Sequence, residues 1–191
     1  WWLVFSDSRS SEAGFPLAQH RLAKRYESGD GVEADVVTAR QWTERAAGGG
    51  NVRAMHDLGF YFARGDGAPL DEAAAFRWFR QAAEFGLADS QYNLGVLYQQ
   101  GRGVSADMPE ALFWFTLAAN NGDAAAQERV IQLGAELSAI HLEQARARAD
   151  GFTARTPNAV ANGDWSPVYA EESSTAPISD EIVDDAGVGE R

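Results

Sequence analysis

Cysteine is absent from this 191-residue chain. That absence excludes disulfides, thiol catalysis and cysteine-based zinc sites, and leaves the compartment undecided. No apolar run approaches the roughly 18 residues that span a bilayer. Cations are few: 16 Lys and Arg stand against 28 Asp and Glu, a net charge of −12. Binding to a phosphate backbone needs clustered positive charge, so nucleic acid is not the expected partner. Proline is also scarce, at six residues, while six Trp, ten Phe and five Tyr exclude a wholly disordered chain. Hydrophobic residues make up 45% and charged residues 23%, a balance that supports a packed core. The length suits one domain or a short repeat array with a tail.

What the chain has in abundance is repetition, which bears on fold before any local pattern does. Trp42, Trp78 and Trp114 stand 36 residues apart, as do Leu22, Leu58 and Leu94. The same step relates Tyr26, Phe62 and Tyr98, and again Ala39, Ala75 and Ala111. It relates the pairs Ala46-Ala47, Ala82-Ala83 and Ala118-Ala119, and the glycines Gly29 and Gly31, Gly65 and Gly67, Gly101 and Gly103. Gly14, Gly50, Gly86 and Gly122 mark the ends of units.

Each unit reads as two helices. In the third, Ser90, Leu94, Leu97 and Tyr98 recur at helical spacing before Gly101. Gly101-Arg102-Gly103 breaks that helix, because glycine reaches the left-handed conformation that ends it. A second apolar run follows in Ala111, Trp114, Phe115 and Ala118. Asp35, Asp71 and Asp107 share one register position and are predicted N-caps, and Asp107 with Glu110 has capping-box spacing. Ala18, Ala54 and Ser90 with Ala46, Ala82 and Ala118 are predicted to let paired helices approach closely. The Trp and Leu positions are expected to supply the buried bulk. A single unit cannot bury both of its faces, so at least three must stack.

This register resembles the Sel1-like repeat, a relative of the tetratricopeptide repeat with a longer, glycine-marked loop between its helices. The matching string in unit three runs Ala88-Asp89-Ser90-Gln91-Tyr92-Asn93-Leu94-Gly95 through Tyr98, then Gly101-x-Gly103-Val104-x-x-Asp107. It continues with Ala111-x-x-Trp114 and Ala118-Ala119-x-x-Gly122. Units one and two fit the same frame. The resemblance implies an all-α, right-handed α-solenoid of stacked antiparallel helix pairs followed by a disordered acidic tail. The expected organisation is a stub or partial helix over 1–13 and three repeats over 14–122. A partial fourth repeat and capping helix over 123–151 precede the tail over 152–191. The fourth unit begins at Asp123 with Ala126 and Val130 in register, then departs: Leu137 and Ala139 replace the loop glycines. Ser138 is read as the cap of a last helix that carries Glu143, Arg146 and Arg148 and ends the stack.

A finer resemblance joins the run from Glu84 to Tyr98, and Phe113-Trp114-Phe115-Thr116-Leu117-Ala118-Ala119, to the arrays of PodJ-type polar localisation factors of alphaproteobacteria. In that family the array lies in the periplasm, after a cytoplasmic coiled coil and one membrane span. The resemblance implies the periplasmic part of a membrane-anchored envelope protein that recruits partners at a pole; a cytoplasmic location is the alternative. The opening Trp1-Trp2-Leu3-Val4-Phe5 is too short for a membrane span or a signal core. It reads as a helix edge, with the stub of an upstream segment or a membrane-surface anchor as alternatives.

From Thr153 the period vanishes. Residues 153–191 hold eight acidic and two basic residues, with Pro157, Pro167 and Pro177 among Ser, Thr, Ala and Asp. Such a segment buries too little apolar surface to offset its ordering entropy. Asn162-Gly163-Asp164-Trp165 and Ile178 to Val183 are candidate docking motifs within an otherwise solvated linker.

Residues capable of chemistry mostly have plainer explanations. His20 and His56 share one register position in adjacent units, and two imidazoles can bind a metal, but no third ligand joins them at ligand spacing. His141 is expected on the solvent side of the capping helix. Gly29-Asp30-Gly31-Val32-Glu33-Ala34-Asp35 has the look of a calcium loop but fails the EF-hand spacing. Glu171-Glu172 and Asp184-Asp185 lie in the tail, where catalytic geometry is not held. No nucleophile elbow or phosphate-cradling loop is present. No catalytic or metal-ligating residue and no cofactor is therefore assigned.

Tetratricopeptide likeness places the first helix of each unit along a concave groove. Counted from the shared Leu, groove positions hold His20, Lys24 and Glu27 in unit one, and Arg53, His56, Phe60 and Arg64 in unit two. Unit three contributes Asp89, Tyr92, Val96, Gln99 and Gln100. In the first two units this face is basic or histidine-bearing in an otherwise acidic chain, and suits an extended acidic or amphipathic peptide. It is equally readable as a solvated helix face. The expected function is a non-enzymatic scaffold for a protein or peptide, with a groove not filled by the chain's own side chains. A module binding peptidoglycan or another small ligand is the alternative. A third reading follows cysteine-rich Sel1 proteins described as β-lactam hydrolases, and the lack of cysteine removes its basis.

Overall fold

The computed structural model describes Ser11 and residues 14–163. Among these, the first unit comprises α1 (Pro16–Ser28) and α2 (Val36–Gly48), and the second α3 (Val52–Arg64) and α4 (Glu72–Glu84). The third comprises α5 (Ala88–Gln100) and α6 (Met108–Asn120). Beyond it lie α7 (Ala124–Glu136), α8 (Ala139–Asp150) and a short α9 (Ala159–Asn162). Each first helix packs on its own second helix, and each second helix on the first helix of the next unit. The result is an all-α solenoid, as the period requires.

The same local chemistry builds every unit. First helices end at Gly29, Gly65 and Gly101, with φ of 77°, 75° and 70°. The chain then returns through Asp35, Asp71 and Asp107, whose N–H groups donate to Tyr26, Phe62 and Tyr98 carbonyls at 2.9–3.0 Å. Those aspartates are N-caps: Asp71 accepts from the Ala74 N–H at 2.8 Å and Asp107 from Glu110 at 2.9 Å. The second loop glycine has a further reason to be glycine. A Cβ on Gly103, whose φ is 69°, would run into the Glu72 carbonyl at the start of α4. Gly67 stands in the same relation to Val36 at the start of α2. Successive loops thus stack backbone against backbone.

Between helices, Ala39, Ala75 and Ala111 with Ala46, Ala82 and Ala118 are fully buried, as their size predicts. The bulk comes from a partly different set than expected. Leu22, Leu58 and Leu94 are buried, but Trp42 and Trp78 are only half-buried, and Trp114 alone of the three is deep. The largest fully buried side chains are Phe79 and Phe115 on the second helices. Each ring lies flat against a glycine of its own first helix: a Cβ on Gly59 or Gly95 would sit 2.7–2.8 Å from it. Unit one replaces both members at once, with Ala23 and Thr43 in those positions.

The stack ends as a departure from the repeat. Helix α7 packs on α6 as a fourth first helix, but α8 leaves it and lies mainly against α6. Ala145 and Ala149 join the core around Phe113 and Trp114. Where Gly59 and Gly95 accept a phenylalanine, α7 carries Ile131, which is 67% exposed. A β-branched side chain there leaves no seat for a second helix of the usual kind. Ser138 does precede α8, but its hydroxyl pairs with His141 Nδ1 at 3.0 Å and makes no backbone cap.

Residues 152–163 correct the expected tail boundary. Instead of leaving the array, they run back along it from unit three to unit one. Phe152 packs on Trp114 with ring centroids 6.2 Å apart. Asn158 caps α9, and Asn162 docks at the turn between units one and two. Composition could not show this, because a few aromatic and amide contacts suffice to hold a strap that is mostly polar. Residues 1–10, 12–13 and 164–191 lie outside the described residues, and with them Asp164, Trp165 and the Ile178 to Val183 motif.

Candidate functional site: a charged junction on the first helices

Helix periodicity gathers His20, Lys24 and Glu27 on one side of α1, and Arg53, Asp57 and Arg64 on one side of α3. The two stripes meet at Asp57. His20 Nε2 donates to Asp57 Oδ2 at 2.9 Å, and Lys24 Nζ lies 3.6 Å from the same oxygen. Lys24 also pairs with Glu27 on its own helix. Asp57 and His20 are largely buried, whereas Lys24 and Glu27 stay about two-fifths exposed.

Electrostatics follow from this placement. Burial alone would raise the Asp57 pKa, but the His20 hydrogen bond and the neighbouring His20 and Lys24 hold it well below the usual carboxylate range. For Lys24, burial pulls downward and is outweighed by Asp57 and Glu27, so its ammonium form is favoured. Burial raises the Tyr61 hydroxyl, and the Glu27 and Asp57 charges add to it. This junction is an ion network locking α1 to α3.

Five of the groove assignments are corrected. His56, Phe60, Asp89 and Tyr92 are buried, and Val96 with them. The first helices pack side by side, so residues assigned to an open groove instead fill the seams. His56 Nδ1 shares a hydrogen bond with Ser90 Oγ at 2.8 Å, and its ring meets Phe60 and Phe79 edge-on at 5.1 and 5.6 Å. Burial pushes its pKa down to about 4, with Asp57 opposing and Lys24 and His20 reinforcing the shift. Tyr92 packs on Phe115 at 5.4 Å and joins, with Val96, the core that includes Leu133. The groove is therefore filled by the chain's own side chains at these positions. What stays outward is Glu27 and Arg64, with His20, Lys24 and Arg53 partly exposed beside them and Gln99 and Gln100 half-buried in unit three. The Arg64 guanidinium lies over the Phe60 ring, 4.8 Å from its centroid.

His20 and His56 each take a different partner rather than a common ion. Among the described residues no group of three or more His, Cys, Asp or Glu could hold a metal. Asp35 of the glycine-rich loop spends its carboxylate on Val37, Thr38 and the Thr38 hydroxyl. His141 lines a shallow hollow with Pro109, Gln144, Ala145, Ala147 and Arg148, which gathers no Phe, Tyr or Trp. Asp57, the hub of the junction, is not among the groove positions counted from the shared Leu. Its signal was present: it follows the shared histidine position by one residue and lies one period plus one from His20.

Among the described residues no helix is long and apolar enough to cross a membrane. No curated protein matches the chain. Among solved structures, a Sel1 repeat protein from Oxalobacter formigenes is 36% identical, with a TM-score of 0.63 over 67% of this chain and 96% of that one. The protective antigen c5321 of uropathogenic Escherichia coli, which displays an SLR fold, is 32% identical with a TM-score of 0.68. That match covers 78% of this chain but 33% of the antigen. The family model for the Sel1 repeat matches residues 16–51, 52–86 and 88–123, the same three units that the tryptophan, alanine and glycine ladders mark out. With register, fold and relatives in agreement, the chain belongs to the Sel1 repeat family.

Proposed function

We propose that this chain is a non-enzymatic scaffold that holds a protein or peptide partner on the charged first-helix face of units one and two. Sel1 repeat proteins generally serve as protein–protein interaction scaffolds, which supports the class of function. The observation that carries the choice of face is the Asp57 junction. It fixes two helical stripes side by side and leaves Glu27 and Arg64 exposed and Lys24 and Arg53 partly exposed in a chain of net charge −12. A partly basic, preorganised face suits an extended acidic or amphipathic peptide, with the charges setting orientation and encounter rate. The site is narrower than a groove along all three units, because unit three is packed shut at Asp89, Tyr92 and Val96.

A place in the cell envelope, with recruitment at a pole, is the setting proposed for this scaffold. Its support is the likeness of the Glu84 to Tyr98 run to PodJ-type arrays. Protease accessibility of the chain in intact cells against osmotically shocked ones tests it: a chain degraded only after the cytoplasm is opened contradicts an envelope location. The face is tested by measuring partner capture with Lys24→Ala, Arg53→Ala and Arg64→Ala together. Loss of capture with helicity unchanged supports it, and unchanged capture refutes it.

A further inference from the structure

The edge formed by the turns between units, where the first helices begin, is covered by the chain itself. Residues 152–163 lie along it in the direction opposite to the order of the units. Arg155 N–H donates to the Glu84 carbonyl at 2.9 Å, at the end of α4. Its guanidinium lies 4.6 Å from the centroid of Phe85 and 3.3 Å from Glu84 Oε2. At the preceding turn the Asn162 amide bridges the chain: Nδ2 donates to the Gly50 carbonyl at 3.0 Å, while Oδ1 accepts from the Val52 N–H at 2.8 Å. Asn51 answers in kind, its Nδ2 donating to the Ala161 carbonyl at 2.6 Å. Both asparagines therefore read main-chain groups, Asn162 those left unpaired at the turn and Asn51 that of the last turn of α9.

The shape of these contacts is that of peptide recognition. A carboxylate in place of Asn162 could not donate to Gly50, and the longer Gln amide would overshoot a turn that is met at 2.8–3.0 Å on both sides. The arginine finds an acidic and an aromatic partner together, and the segment between Arg155 and Asn158 is extended with Pro157 within it. Nothing in this arrangement requires that the peptide be covalently attached.

We propose that the inter-unit turn edge is a peptide-docking track, and that residues 152–163 fill it as an internal ligand. A partner peptide carrying Arg and, seven residues on, Asn, with a helical turn leading into the Asn as α9 does, displaces them. The strap thereby gates the track: a partner must supply the same main-chain bridge at Gly50 and Val52 to open it.

The test uses the full chain, whose lack of cysteine makes an engineered pair unambiguous. A Cβ built on Gly50 lies 3.9 Å from that of Ala161, inside the range for a disulfide. Gly50→Cys with Ala161→Cys should close one intrachain disulfide on oxidation. A fluorescent peptide of residues 152–163 should then bind the reduced form at least ten-fold more tightly than the oxidised form. Separately, Asn162→Ala should raise affinity for the same peptide over the unaltered chain, and adding Asn51→Ala should abolish the gain. Equal peptide binding to the oxidised and reduced forms overturns the proposal, as does no binding to either. A disulfide that forms only between two chains overturns the internal seating of the strap. Gly50 has a φ of 92°, where a side chain is strained, so the single Gly50→Cys variant is the control for folding. Oxidised and reduced forms of the pair share that strain, and the difference between them decides the matter even if Asn162→Ala impairs folding.

Discussion

Gly59 and Gly95 sit inside helices, where glycine costs about 1 kcal/mol relative to alanine. Their retention is explained by the Phe79 and Phe115 rings pressed onto them. Gly95→Ala should lower stability by roughly 1–3 kcal/mol in urea unfolding despite its better helix propensity, because the new methyl overpacks the ring. Combining it with Phe115→Leu should recover part of the loss, a coupling that non-contacting residues do not show. His56 gives a second prediction at this scale. Its folded pKa of about 4 lies below the ordinary value of 6.5, so the fold favours the neutral ring. That contribution is present in full above pH 6.5 and is lost as pH falls toward 4, a decline of about 3 kcal/mol by linkage. Asp57, also held below its ordinary value, adds a further loss only below about pH 4. In His56→Gln the urea midpoint should stay flat between pH 6.5 and 4 and fall below that. An unchanged slope in that window would show that another group titrates there. The loop glycines were legible because only glycine tolerates their backbone. His56 and Tyr92 were misassigned because a register gives position along a helix, not what a neighbouring helix lays over it.

Helix ends account for much of the regularity between units. Asp71 and Asp107 each satisfy an amide that the following helix leaves unpaired, so Asp107→Ala should cost about 1 kcal/mol and Asp107→Asn much less. The Asp71→Ala and Asp107→Ala losses should add in the double variant, since the caps share no partner; a clear excess over additivity would mean that the loops act as one body. These caps, the helix pairs and their order were all legible from spacing. The course of α8 was not. The missing loop glycines announced an end to the stack, but its redirection onto α6 depends on Ile131 blocking the usual seat and on Trp114 offering another. Likewise the strap from Phe152 to Gly163 has a composition that reads as tail, and only the aromatic slot and the asparagine bridge distinguish it from one.

For the molecule as a whole, stacking uses most of the residue types that otherwise suggest chemistry. Among the described residues, Trp114, Phe60, Phe79, Phe115 and the buried His56 belong to seams between helices, and Asp35, Asp71 and Asp107 belong to caps. The remaining distinctive surface is the outward charge that the Asp57 junction orients between α1 and α3. Site-specific photo-crosslinking tests that assignment most directly, with the full chain as bait in an extract of its own cells. A crosslinker at position 53, on this face, should capture a partner that one at Gln81, exposed on α4, does not. Arg64→Glu should then reduce the captured species at least ten-fold without changing helicity. The same species captured from both positions, or capture at position 53 that survives Arg64→Glu, would contradict the account.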